Sequence, residues 1–237
     1  MASDLYAICF DAIEPAALAR FWSGVLGRQP ADEPHGGVAI LPDDDTGFRI
    51  RFVPTSEPKS GQNQAHFDLT STCLEDQQQR VARALALGGR RLDIGQGADA
   101  AHVVLADLDG NEFDVIEPGN NFLAGCGVIG ALACDGTQAV GYFWSAALGW
   151  PLVWDQDQET AIQSPHGGTK LTWGGPPVKE KTGRNRLHFD LTPPAGGDRT
   201  AEIDRLISLG ATRRDHGQCE PGWTALADPD GNEFCLR

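Results

Sequence analysis

Two histidines lie in matching strings, His66-Phe67-Asp68-Leu69-Thr70 and His188-Phe189-Asp190-Leu191-Thr192. Each string alternates polar and apolar residues, the two-residue period of a strand with one buried face. An imidazole on the open face of such a strand can ligate a metal, act as a general base, or donate a hydrogen bond to a bound molecule. The competing reading is a half-buried histidine bonded to a neighbouring strand or carboxylate. Asp68 and Asp190 would orient the imidazoles only if the strand twists, so packing or helix capping is their expected role. Cys235 offers a thiol that His188 would activate if the two strands lie close.

Other residue types suggest binding rather than catalysis. Lys179, Lys181, Arg184 and Arg186 form the most basic stretch of an acidic chain. Such a rim suits an anionic ligand, and a solvated loop is the plainer alternative. Arg51 alternates with Phe and Ile in a strand-like run, and Trp173 ends another. An aromatic-lined pocket suits a planar or apolar ligand, which favours the second half of the chain as the binder. The strings Asp107-Leu108-Asp109-Gly110-Asn111-Glu112 and Asp228-Pro229-Asp230-Gly231-Asn232-Glu233 invite a calcium reading. They lack the twelve-residue loop of a calcium-binding hand, and the Gly and Asn supply what a tight hairpin needs.

These residues repeat because the chain repeats. Phe21-Trp22-Ser23 recurs as Phe143-Trp144-Ser145, and His66 recurs as His188, both at a shift of 122. Leu87-Gly88 recurs as Leu209-Gly210, and Asp107–Phe113 recurs as Asp228–Phe234. The first copy occupies residues 1–119 and the second 124–237, joined by the turn-rich Glu117-Pro118-Gly119-Asn120-Asn121. Within each copy the pattern reads strand, helix, several strands, then the same again. Pro15 opens a helix in its favoured first turn and Gly27 stops it.

The formal charge of −14 repels phosphate backbones and anionic headgroups, so neither nucleic acid nor membrane is an expected partner. No apolar run spans a bilayer and no signal peptide is legible, so the cytoplasm is the expected location. Six scattered cysteines without a C-x-x-C pair are expected to be reduced, buried thiols.

A helix ending F-W-x-x-x-L-G, a later H-F-D-L strand and a closing D-x-D-G-N-E-F hairpin, all twice over, resemble the glyoxalase / bleomycin-resistance / extradiol-dioxygenase (vicinal oxygen chelate) superfamily. The resemblance covers essentially the whole chain. It implies an α+β fold of four βαβββ modules, with each pair of modules curled into a cup, helices outside, and a small-molecule pocket within. It also implies metal ligands on the first and last strands of each module. In the first copy those positions fall near Tyr6-Ala7, on Ile50 or Arg51, on His66 and on Asp114. In the second they fall near Gly127–Ile129, on Leu171 or Thr172, on His188 and on Cys235.

Two ligands rarely hold a catalytic metal. The expectation is therefore a small-molecule binder without a resident cofactor, using Arg51, Trp173, Arg184, Arg186 and Cys235 for binding and His66 and His188 for any chemistry. The alternative is a lyase, isomerase or dioxygenase using Zn, Ni, Mn or Fe on His66, Asp114 and an unidentified third ligand, with His102 as one candidate. A monomer and a homodimer are equally compatible with four modules in one chain.

Overall fold

The computed structural model describes residues 2–42, 47–95, 97, 100–181, 183–214 and 219–237. The first module comprises β1 (Asp4–Ala12), α1 (Pro15–Leu26), β2 (Pro30–Asp32), β3 (Val38–Ile40) and β4 (Arg49–Pro54). The second comprises β5 (Ala65–Leu69), α2 (Leu74–Ala86), β6 (Arg90–Arg91), β7 (Val103–Ala106) and β8 (Glu112–Val115). The third comprises β9 (Ile129–Cys134), α3 (Gln138–Leu148), β10 (Leu152–Gln156), β11 (Glu159–Gln163) and β12 (Lys170–Trp173). The fourth comprises β13 (Leu187–Thr192), α4 (Arg199–Ser208), β14 (Thr212–Arg213), β15 (Thr224–Ala227) and β16 (Glu233–Leu236).

Helix ends follow local chemistry. Pro15 occupies the first turn of α1, and Gly27 ends it in the left-handed region at φ 73°, a conformation glycine adopts without a Cβ clash. The side chains of Thr137 and Asp198 accept from Val140 N and Ala201 N to cap α3 and α4, satisfying amides that the helix leaves unpaired. Helix α1 buries Leu18, Phe21, Trp22 and Val25, a stripe at helical spacing.

Each D-x-D-G-N hairpin serves as a clamp. Asp107 accepts from the backbone amides of Asp109 and Asn111, and its other oxygen accepts from the Trp22 indole at 3.0 Å. Asp228 repeats this with Asp230, Asn232 and the Trp144 indole at 3.1 Å. Turn chemistry thus accounts for these acidic strings, and they fasten helix to hairpin inside each copy.

The sheets do the opposite and join the copies. Sheet A runs β14-β15-β16-β13-β1-β4-β3-β2 and sheet B runs β10-β11-β12-β9-β5-β8-β7-β6. The first module therefore shares a sheet with the fourth, and the second with the third. Antiparallel pairing of β1 with β13 and of β5 with β9 makes the two seams. The convex faces of both sheets meet in one core: the Phe10 ring of sheet A lies 5.6 Å from Phe67 of sheet B, and Trp22 packs on both. No helix among the described residues is long and apolar enough to cross a membrane.

Candidate functional site

Residues that point away from this shared core line the concave face of each sheet. In sheet B, successive register pairs place Trp154, Ala161, Thr172, Ala133 and His66 in one row across the strands. A parallel row holds Gln163, Lys170, Ala131, Asp68, Asp114 and Val104. The corresponding row of sheet A is Ala31, Ala39, Arg51, Cys9 and His188, with Ala7, Asp190 and Cys235 beside it.

These registers correct the expected first-strand positions. The strand neighbours of His188 and His66 are Cys9 and Ala133, not Tyr6-Ala7 and Gly127–Ile129. Cys9 lies 12 residues before Phe21 whereas Ala133 lies 10 before Phe143, so the shift of 122 found elsewhere does not hold in these strands.

Sheet B brings three metal-ligating side chains together. His66 Nε2 lies 3.4 Å from Asp68 Oδ1 and 3.7 Å from Asp114 Oδ2. One ligand atom from each residue lies within 4.8 Å of the other two, and all three residues are half-buried. Asp68 is the residue the sequence reading missed. Same-face neighbours two apart on a strand converge here because the Asp68 carboxylate leans towards the imidazole, and it caps no helix.

Burial alone would lower the His66 pKa, but contact with Asp68 and the charges of Asp114 and Glu112 raise it above the ordinary value. Burial raises the Asp114 carboxyl, with the His66 charge opposing. His102 adds its charge near Asp114 but is not one of the three clustered ligands. Solvent reaches the floor of the cup, since Ala133 and Thr172 are partly exposed. A cleft of about 570 Å³ opens beside Val104 and His102.

Sheet A has a similar triad in a closed setting. His188 Nε2 lies 3.4 Å from Asp190 Oδ1, and Cys9 completes a second group of potential ligands, all buried. Arg51 fills the space over them. Its guanidinium donates to Asp190 Oδ2 at 2.7 Å, to Glu33 Oε2 at 2.8 Å and to Glu220 Oε1, and it lies 5.1 Å from the Trp223 ring centre. Arg51 and Asp190 are 3% and 1% exposed, so the cup is shut. A fixed guanidinium also repels any cation that Cys9, His188 and Asp190 would hold. Burial pushes the Cys9 thiol well above its ordinary pKa, so it stays protonated.

Several sequence expectations change accordingly. His188 and Arg51 belong to a sealed ion cluster rather than an open site. Cys235 is bonded to Cys219 in a disulfide, which corrects the expectation of six reduced thiols and removes a free Cys235 nucleophile. Trp173 is 2% exposed and packs in the core, because its register partner is Cys134 rather than Ala133. Arg184 and Arg186 pair with Asp11 and Asp109 and line a cleft of about 230 Å³ between two loops; Asp11 lies near enough to His188 to feel its charge.

Comparison with known proteins agrees with this architecture. The glyoxalase-like domain matches residues 7–116 and again 130–237. The chain belongs to that family. Glyoxalase I from Zea mays is similar in structure, with a TM-score of 0.66 at 12% identity, over 99% of this chain and 92% of that one. A putative dioxygenase from Bacillus subtilis subsp. subtilis str. 168 gives a TM-score of 0.56 at 14% identity, over 98% and 84% of the two chains. No curated protein matches the chain. At such identities the similarity establishes the shared fold. Within this glyoxalase-like chain, the open cup is the one built from the second and third modules.

Proposed function

We propose that the sheet B cup holds a divalent cation on His66, Asp68 and Asp114 and acts on a small oxygenated organic molecule as a lyase, isomerase or dioxygenase. The observation that carries this reading is the spacing of the three donors. The 3.4 Å between His66 Nε2 and Asp68 Oδ1 is long for a hydrogen bond. It is close to the edge of a tetrahedron of ligands about 2.1 Å from a central ion, about 3.4 Å. Two carboxylates and an imidazole also suit Zn, Mn, Fe or Ni by ligand type.

Three protein ligands leave coordination positions open, and a cation there supplies a Lewis acid for neighbouring oxygens of a substrate. The chain's own residues do the rest. Asp68 and Asp114 both lie close to His66 Nε2, so the three side chains would present their donor atoms to one point. Glu112, fixed by Lys59 at 2.6 Å, adds negative charge to the same wall. Ala133, small and partly exposed, keeps the adjoining floor low, which leaves room for a bound molecule.

A metal-free binder is the second reading, and one observation favours it: His66 Nε2 lies beside both carboxylates, whose charges raise its pKa, so an imidazolium would serve them as a counter-charge. Titration of chelator-treated protein with Mn(II), followed by electron paramagnetic resonance, separates the two. One bound Mn(II) per chain, weakened at least tenfold by His66→Ala, is the expected result. Absence of stoichiometric Mn, Zn, Ni or Fe(II) binding would leave the metal-free binder.

A further inference from the structure

The two cups differ at three positions of the same row, and the differences act together. Where sheet A has Arg51, sheet B has Thr172. Where sheet A has Cys9, sheet B has Ala133. Where sheet A has Ala31 on its edge strand, sheet B has Trp154. The centre of the sheet B row is thereby lowered to Ala133 and Thr172, both partly exposed, and its far end is raised by an indole that is 38% exposed.

A second aromatic residue joins that wall from the linker between the copies. Phe122 meets Trp154 edge to face, with ring centres 5.9 Å apart and planes at 83°. Lys170 Nζ donates to the Phe122 carbonyl oxygen and lies 4.5 Å from the Phe122 ring centre. The linker is therefore pinned beside the cup by the sheet it borders. From His66 to Trp154 the row crosses four strand spacings, roughly 19 Å between backbones. A two- or three-carbon molecule at His66 leaves the exposed part of this floor, at Ala133 and Thr172, uncovered. A flat body covers it and removes the indole face from water.

Building on the reading of His66, Asp68 and Asp114 given above, we propose that the sheet B cup is selective for flat, multi-ring ligands. The oxygen-bearing end of such a ligand lies at that triad, its rings lie over Ala133 and Thr172, and its far ring lies against Trp154 and Phe122. Trp154 is the specificity-determining residue.

Calorimetry with two probes tests this on the Mn(II)-loaded protein. Alizarin carries two adjacent oxygens on a three-ring plane, whereas catechol carries the same pair on one ring. Alizarin is expected to bind at least tenfold tighter than catechol. Trp154→Ala should abolish most of that preference and Trp154→Phe should keep it, with Mn(II) affinity within twofold for all three proteins. Equal affinity for the two probes, or undiminished alizarin binding by Trp154→Ala, would overturn the proposal. If the wild type holds no metal, the same titrations are run on the metal-free protein. Trp154-dependent alizarin binding there sustains the aromatic wall while the metal reading fails, and no alizarin binding overturns the wall as well.

Discussion

Thr172 in sheet B occupies the position that Arg51 holds in sheet A, one strand from Ala133 and Cys9 respectively. The threonine leaves its cup accessible, whereas the guanidinium draws Glu33, Asp190 and Glu220 into a knot that seals the other. Truncating Arg51 would strand buried carboxylates without a counter-charge. Arg51→Ala is expected to lower unfolding free energy by about 3–5 kcal/mol in urea titrations. Thr172→Ala should change it by about 0.5 kcal/mol or less. Comparable small losses for both variants would mean that the knot contributes little to stability.

Asp68 and Asp190 are equivalent in sequence but stand in unlike surroundings. Asp68→Asn should weaken Mn(II) binding at least tenfold, because it removes a charged ligand from the open triad. Asp190→Asn should leave one Mn(II) per chain, since Arg51 already occupies the closed triad. Paramagnetic resonance titrations of the two variants distinguish these outcomes, and equal losses in both would contradict the assignment of the site to sheet B.

The disulfide between Cys219 and Cys235 closes a loop with a sequence separation of 16. Alkylation of the unfolded chain without reductant should label four cysteines, Cys9, Cys73, Cys126 and Cys134, and six after reduction. Loop-closure entropy for a loop of this length predicts a loss of about 3 kcal/mol on reduction. Six labelled cysteines before reduction would show that the bond does not form.

Burial raises the carboxyls of Asp107 and Asp228 to about 6, against hydrogen bonds from the indoles and the Asn111 and Asn232 amides. Each folded value exceeds the ordinary 3.8, so the folded state binds the extra proton between those two pH values. The stabilisation is complete below about pH 3.8 and is lost as the pH rises through about 6. Relative to Asp107→Asn, the wild type should therefore lose up to about 3 kcal/mol between pH 4 and pH 7. Urea unfolding of both proteins across that range provides the measurement, and a constant difference would count against a raised Asp107.

Much of this molecule is legible in the chain, because its repeated features are local. Pro15, Gly27 and the D-G-N hairpins act through backbone geometry near their own positions, and the Phe21-Trp22 stripe follows helical spacing. Which module pairs with which is not local. β1 and β9 carry equally apolar faces, so the strand pattern fits either partner, and the crossed arrangement emerges only in three dimensions. The candidate site divides in the same way. His66 and Asp114 follow from motif positions, whereas Asp68 required knowledge of where its carboxylate leans. Trp154 required the registers of four successive strand pairs. Trp173 misleads for the same reason: one step along a strand exchanges cup for core.

The crossed sheets also set an order of assembly. The β5–β9 seam joins modules that are consecutive in the chain, and everything in sheet B lies between Ala65 and Trp173. The β1–β13 seam joins residues as far apart as Asp4 and Thr192, a longer closure that costs about 1 kcal/mol more in loop entropy. During synthesis the open cup has all its strands once β12 has emerged, while β1 waits with an unfilled edge for the fourth module. The sealed cup is then the last piece to close, and its arginine knot becomes the fastening that ends folding.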